Sequence, residues 1–248
     1  MRIGYACEPA PGGRPNDDFV LAGEDFVVVL DGATATAPAS GCRHDVPWLV
    51  GRLGVRLAAL LVERPGAGLR EVLRGAIEQL CALHEDTCDL THPDSPSTTV
   101  AMVRRREGWL EYLVLADSPV VVELTDGELV VLADDRVEHL PAYDLASVAR
   151  LRNSPGGFWV AGSRPQAADE ALVGACPVER VVRFAVLTDG VSRLVERYGW
   201  SWSRLLDTLE EQGPGAAVRA VREAERADPP GRWRGKRHDD ATVAFGRP

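Results

Sequence analysis

Carboxylates recur at the ends of apolar runs in this chain. Asp17 and Asp18 come just before FVLA, Asp31-Gly32 follows FVVVL, Asp117 follows YLVLA, Asp189-Gly190 follows FAVLT, and Asp239 and Asp240 precede ATVAF. A single Asp-Gly is most often only a turn. Strand ends that gather at one edge of a sheet, however, bring distant carboxylates together, and their repulsion is relieved when cations lie between them. Hard carboxylate oxygens with no neighbouring His or Cys suit Mg²⁺ or Mn²⁺, which take octahedral oxygen shells and retain water; zinc is disfavoured. The conjunction of these sites carries the inference, since each one alone is weak.

The elements that would position these acids follow from periodicity. Phe19 to Leu21 and Phe26 to Leu30 read as a hairpin around Gly-Glu-Asp. Apolar residues at spacings of three and four predict helices over Pro47 to Val62 and Leu69 to Leu83, separated by RPGAG and antiparallel. STTVAMVRRR, GWLEYLVLADS, PVVVELTDG and ELVVLAD are Val- and Leu-rich runs expected to form an antiparallel meander. A helix over Ala142 to Leu151, a short one after Pro165, a buried strand in ERVVRFAVLTDG, helices over Ser203 to Glu211 and Ala216 to Arg226, and a last strand complete the order. Strands, helices, strands, helices and a strand make an α+β chain rather than an alternating βαβ one. No internal repeat or low-complexity linker interrupts it, so one domain over residues 1–248 is expected.

Composition narrows the partners. With 248 residues and 45% apolar content the chain has material for a sizeable core. The net charge is -9, with acids spread along the sequence, which argues against an electrostatic grip on nucleic acid or anionic lipid. No apolar stretch approaches the roughly 18 residues of a membrane span, and the N-terminus lacks the apolar core of a signal peptide, so the cytoplasm is the expected compartment. Cys7, Cys42, Cys81, Cys88 and Cys176 have no C-x-x-C spacing. They read as reduced, mostly buried thiols rather than a disulfide framework or a zinc knuckle.

The ordered segments RPNDD, VVVLDG, PSTTVAMV, LVLADSPVVVELTDGEL, AVLTDGVS and HDDATVAF, spanning residues 14 to 245, resemble the metal-dependent protein phosphatases of the 2C type, in a divergent bacterial-type form. The resemblance implies a four-layer αββα sandwich of two antiparallel sheets flanked by helices. It also implies Mg²⁺ or Mn²⁺, two ions with a third weaker one, in a cleft at one end. Asp31 is similar to the carboxylate that bridges two metals, with the Gly32 carbonyl as a further ligand. Asp189 and Asp239 resemble ligands of the second metal, and Asp18 the acid that holds the first metal's water shell, with Asp17 where the family usually has Glu. Asp117 resembles the acid that shares a third ion with Asp189. The implied activity is hydrolysis of a phosphate monoester by metal-activated water, with phosphoserine or phosphothreonine on a protein as substrate. Arg14 is the candidate phosphate fork. His44 is a candidate proton donor to the leaving group, since it lies shortly after the Asp31 loop. Asp240 is expected to cap or orient its loop.

Some positions depart from the family pattern. ATATAPASGCRH replaces the usual second Gly and following His after Asp31-Gly32. Arg14 stands four residues before Asp18 where five is common. Ala116 replaces a Gly, a change that matters if the backbone there needs positive φ. Pro96 replaces the Gly before Ser97-Thr98, and Ser192 stands where an acid often follows Asp-Gly. These changes leave open a pseudophosphatase, a phosphoprotein-binding module without turnover, or a hydrolase of small phosphorylated metabolites. Phe158 and Trp159 read as core, with the neighbouring Gly pair and Arg164 able to shape a rim. His84, His92 and His139 are scattered, and His238 is a loop neighbour of Asp239. Oligomeric state is not legible.

Overall fold

The computed structural model describes residues 1–33, 41–229, 231–233 and 236–248. In chain order the strands and helices are β1 (Arg2–Glu8), β2 (Phe19–Ala22), β3 (Phe26–Leu30), β4 (Gly32–Ala33), α1 (Val46–Glu63), α2 (Leu69–Ala82), β5 (Ser97–Thr98), β6 (Val100–Arg106), β7 (Trp109–Leu115), β8 (Val120–Leu124), β9 (Leu129–Leu132), α3 (Leu145–Leu151), β10 (Leu172–Pro177), β11 (Val181–Leu187), α4 (Asp189–Glu196), α5 (Trp202–Gln212), α6 (Pro214–Ala227) and β12 (Ala241–Arg247). A 3₁₀ turn at Pro165–Glu170 stands where a short helix was expected.

Two five-stranded antiparallel sheets result, one ordered β1-β12-β11-β8-β9 and the other β10-β7-β6-β3-β2, with β4 and β5 pairing separately. Their layering follows from the period of two along a strand. On β3, Val27 and Val29 face the other sheet, while Phe26, Val28 and Leu30 face α1 and α2. On β11, Phe184 and Val186 point between the sheets, and Ala185 and Leu187 pack under α4, α5 and α6. Strands apolar on both faces are what a four-layer αββα sandwich demands, because each sheet is covered twice. Each such Val or Leu contributes about 1.5–3 kcal/mol on burial. Since β3 is apolar on both sides, polarity alone would not forbid a one-residue slip. Its register is held at the hairpin turn, where the Gly23 N–H donates to the Phe26 carbonyl at 2.9 Å, and at its far end by the Asp31 contacts described below.

The four runs expected to form one meander divide instead between the sheets. β6 pairs with β7 in one, β8 pairs with β9 in the other, and the chain crosses at Asp117-Ser118-Pro119. Inter-sheet burial of Val120 and Val122 against Val27 and Val114 decides this, a contact that local alternation does not encode. α1 starts as its sequence suggests: Asp45 accepts from the Trp48 N–H at 3.0 Å and Pro47 occupies the first turn. No helix among the described residues is long and apolar enough to cross a membrane.

Candidate active site

Strand ends from both sheets meet at one edge of the sandwich. A cavity of about 250 Å³ opens there, walled by Asp31, Asp117, Asp189, Asp239 and Lys236, with Phe158 and Val160 on its apolar side. Two glycines let the backbones approach. A Cβ on Gly32 would stand 2.4 Å from the Asp17 carbonyl, to which the Gly32 N–H itself donates at 3.1 Å. One on Gly190 would stand 1.8 Å from the Asp240 carbonyl. Any side chain at these places would force apart the segments that bear the acids.

Hydrogen bonds fix the Asp31 backbone and the Asp18 carboxylate. The Asp31 N–H donates to Thr99 Oγ1 at 3.1 Å, and its carbonyl accepts from Thr98 Oγ1 at 2.8 Å and the Thr99 N–H at 2.9 Å. Thr99 Oγ1 in turn meets Ser118 Oγ at 2.6 Å, tying the end of β3 to the crossing beside Asp117. Asp18 is buried; its Oδ2 accepts from Thr188 Oγ1 at 3.0 Å, and the same hydroxyl accepts from the Thr242 N–H at 3.0 Å. The Asp18 Oδ1 and Thr242 Oγ1 atoms are also buried, and no well-formed hydrogen bond satisfies either.

The electrostatics are those of a crowded acid cluster. Burial, then Asp240 and Asp189, push Asp18 up to about 8. Burial pushes Asp31 well above the usual carboxylate range, and Asp18, Asp189, Asp117 and Asp239 add to it. Asp117 is pushed up to about 7 by burial and Asp189. Asp189 is raised by burial and Asp239 but eased by Arg193. It keeps 31% of its side-chain surface exposed. Carboxyls crowded and buried in this way mark a place where positive charge is wanted.

Two cations answer part of that demand. Arg193, on α4 one turn after Asp189, is 2% exposed and reaches Asp189 at 3.6 Å, Asp239 at 3.4 Å and the fully buried Glu225 at 2.9 Å. Burial alone would lower its pKa, yet these acids raise it. Lys236 Nζ stands 3.1 Å from Asp239 Oδ1. Among the described residues, no three His, Cys, Asp or Glu side chains are drawn into a ready ligand set. The donors nonetheless fit a hard divalent cation: they are all oxygens, burial and neighbouring acids push Asp18 and Asp117 up to about 8 and about 7, and one buried Oδ1 is unsatisfied.

The other candidates lie around this cavity. Arg14 is exposed and lines an adjoining cavity of about 240 Å³ with Asp17, Asp240, Lys236 and Asp239. Asp240 orients that loop, accepting from the Ala10 and Asp17 N–H groups at 2.7 Å each. His44 does not line the acid cavity; its ring stacks on Trp48 at 3.8 Å and 9° and meets His84 edge-on. Of the altered stretch after Asp31, residues 34–40 lie outside the described residues. Ala116 has φ of 66°, so the backbone there does adopt the left-handed conformation, with its N–H held by Asp134 Oδ2 at 3.1 Å. Arg193, Thr188 and Thr242 escaped sequence reasoning; the spacing of Arg193 four residues after Asp189 was the available signal for the first.

Comparison with known proteins follows the same lines. The family model described as Protein phosphatase 2C matches residues 10–223. The chain belongs to the protein phosphatase 2C family. Solved structures agree in fold. The PPM Ser-Thr phosphatase MsPP from Mycobacterium smegmatis, in complex with cacodylate, superposes with a TM-score of 0.62 at 20% identity, covering 99% of this chain and 97% of that one. The catalytic domain of the serine threonine protein phosphatase PstP, in complex with two manganese ions, gives 0.60 at 19%, covering 98% and 96%. The serine/threonine phosphatase Stp1 from Staphylococcus aureus gives 0.66 at 12%, covering 99% and 94%. No curated protein matches the sequence. Family membership and the αββα sandwich are therefore as the sequence motifs imply.

Proposed function

We propose that this chain acts as one catalytic domain that hydrolyses phosphate monoesters, with phosphoserine and phosphothreonine on proteins as substrates and Mg²⁺ or Mn²⁺ as cofactor. The observation that carries the reading is the convergence of Asp31, Asp117, Asp189 and Asp239 on one cavity with too little resident positive charge, beside the buried Asp18. When bound, divalent ions lower the pKa of water and neutralise phosphoryl charge. Asp31, the Gly32 carbonyl, Asp189 and Asp239 would hold two ions, with Asp18 steadying their water and Asp117 with Asp189 offering a weaker third position. Arg14, at the neighbouring cavity, would bind the phosphate through its guanidinium fork. His44 would need to leave its stack on Trp48 to give a proton to the leaving alkoxide.

A second reading has its own support. Arg193 and Lys236 already sit on Asp189 and Asp239, as they would in a phosphoprotein-binding module without turnover. Phosphate release from an aryl phosphate and a phosphothreonine peptide, with Mn²⁺ or chelator, for the natural chain and Asp189→Ala, separates the two. Metal-dependent turnover that disappears in the variant is expected. A folded, metal-loaded protein that releases no phosphate from either would favour the binding module.

A further inference from the structure

Cys42 and Cys88 lie 46 residues apart in sequence, yet their sulfurs are 3.3 Å apart. A disulfide bond is about 2.05 Å long, so a side-chain adjustment on the order of 1.3 Å would close one. Both are thiols rather than a disulfide, and both are partly exposed. Their surroundings are unequal. Cys88 Sγ accepts from the Arg43 N–H at 3.3 Å and from the Cys42 thiol, with the Thr87 hydroxyl at 3.7 Å, whereas the His44 N–H reaches Cys42 Sγ at 3.5 Å. Donors around Cys88, together with the Arg43 charge, outweigh its burial and lower its pKa; burial pushes Cys42 up to about 11. The other cysteines meet different groups: Cys7 accepts from Asn16 Nδ2 at 3.2 Å, and the Cys81 and Cys176 thiols point at backbone carbonyls.

We propose that Cys42 and Cys88 form a thiol–disulfide exchange site for small-molecule disulfides, with Cys88 attacking and Cys42 resolving. The Cys88 thiolate attacks one sulfur of the small disulfide, forming a mixed disulfide and expelling one thiolate, which takes a proton from water. Cys42, on losing its proton, attacks the Cys88 sulfur, closing the protein disulfide and expelling the second thiol. Two protein thiols are oxidised and one small disulfide is reduced to two thiols. The bond would tie the entry to α1, where Asp45 caps the helix, to the segment that follows α2.

The reduced full-length chain is incubated with oxidised glutathione, quenched by alkylation and mapped by peptide mass spectrometry. The expected product is a cross-linked pair of peptides carrying Cys42 and Cys88, with two glutathione thiols released per chain. Cys42→Ser should stop at a glutathione adduct on Cys88 with one thiol released. Cys88→Ser should slow uptake at this site by at least about tenfold. Adducts spread evenly over Cys7, Cys81 and Cys176, or no Cys42–Cys88 cross-link in the natural chain, would overturn the proposal, and that mapping stands whether or not either variant folds.

Discussion

Replacing Arg193 by Met tests whether a buried cation, and not apolar packing alone, holds the acid edge together. Met keeps most of the stem's contacts and removes the guanidinium. What is lost is a 2.9 Å charge-assisted hydrogen bond to Glu225, whose side chain is fully buried, and longer contacts to Asp189 and Asp239. Removing one partner of a buried ion pair costs about 3–5 kcal/mol when the remaining charge has no other support. Glu225 keeps Arg222 at 2.9 Å and His238 at 2.8 Å, so the cost falls at or just below the bottom of that range, about 2–3 kcal/mol. The contacts at 3.4 and 3.6 Å reach carboxylates that are 20% and 31% exposed, and add at most about 1 kcal/mol together. A total of about 3 kcal/mol, at a urea slope of about 3 kcal/mol per molar, moves the unfolding midpoint by about 1 M. Equilibrium urea unfolding at pH 7 in chelator, with unchanged slope, is the assay. Saturating Mn²⁺ should restore only the smaller part, since a divalent ion near Asp189 and Asp239 does not replace the bond to Glu225. A midpoint shift under about 0.3 M in chelator would show that the network around Glu225 is balanced without Arg193, and the reasoning would fail.

Two further expectations concern the same edge. Asp18 and Asp117 hold protons in the folded chain up to about 8 and about 7, while the unfolded carboxyls lose theirs near 3.8, so between those limits the native state binds more protons. Stability in chelator should therefore be greatest at the acid end of that window and fall as pH rises towards 8; thermal midpoints that climb from pH 5 to pH 8 would contradict this. Asp240→Ala leaves the Ala10 and Asp17 N–H groups without their acceptor and should destabilise the chain by about 1–3 kcal/mol. Limited proteolysis should then cut first between residues 9 and 17, and an unchanged cleavage pattern would show that the loop is held by other means.

Sequence periodicity predicts α1 and α2 well because one face of each is buried against β3 at regular spacing, and β3 itself is an unbroken apolar run. Two of the four edge strands were harder to see. RIGYACE in β1 is mostly exposed or half-buried, and LVGACP in β10 carries a Gly and a Pro, so neither shows the alternation that marks a covered strand. α4 escapes sequence reasoning because Gly190 disfavours helix locally, whereas the carbonyl of Asp240 leaves room for nothing larger. The acids were legible because residue type and strand-end position coincide. Their supports were not: Thr99 and Thr188 are ordinary residues until folding brings the first hydroxyl to the Asp31 N–H and the second to the Asp18 carboxylate, both remote in sequence.

The seam between the sheets has a consequence for the spacing of the acids. Asp31 extends from β3 in one sheet, whereas Asp189 follows β11 and Asp239 lies just before β12 in the other, and Asp18 enters β2 while leaning on Thr188 across the gap. The separation of these carboxyls is thus gauged by the thickness of the Val27, Val29, Phe184 and Val186 layer, much as shims set the opening of a vice. Drift in those core side chains can widen or narrow the acid cavity with every carboxylate still in place, so divergence within this fold is able to retune its chemistry from the inside.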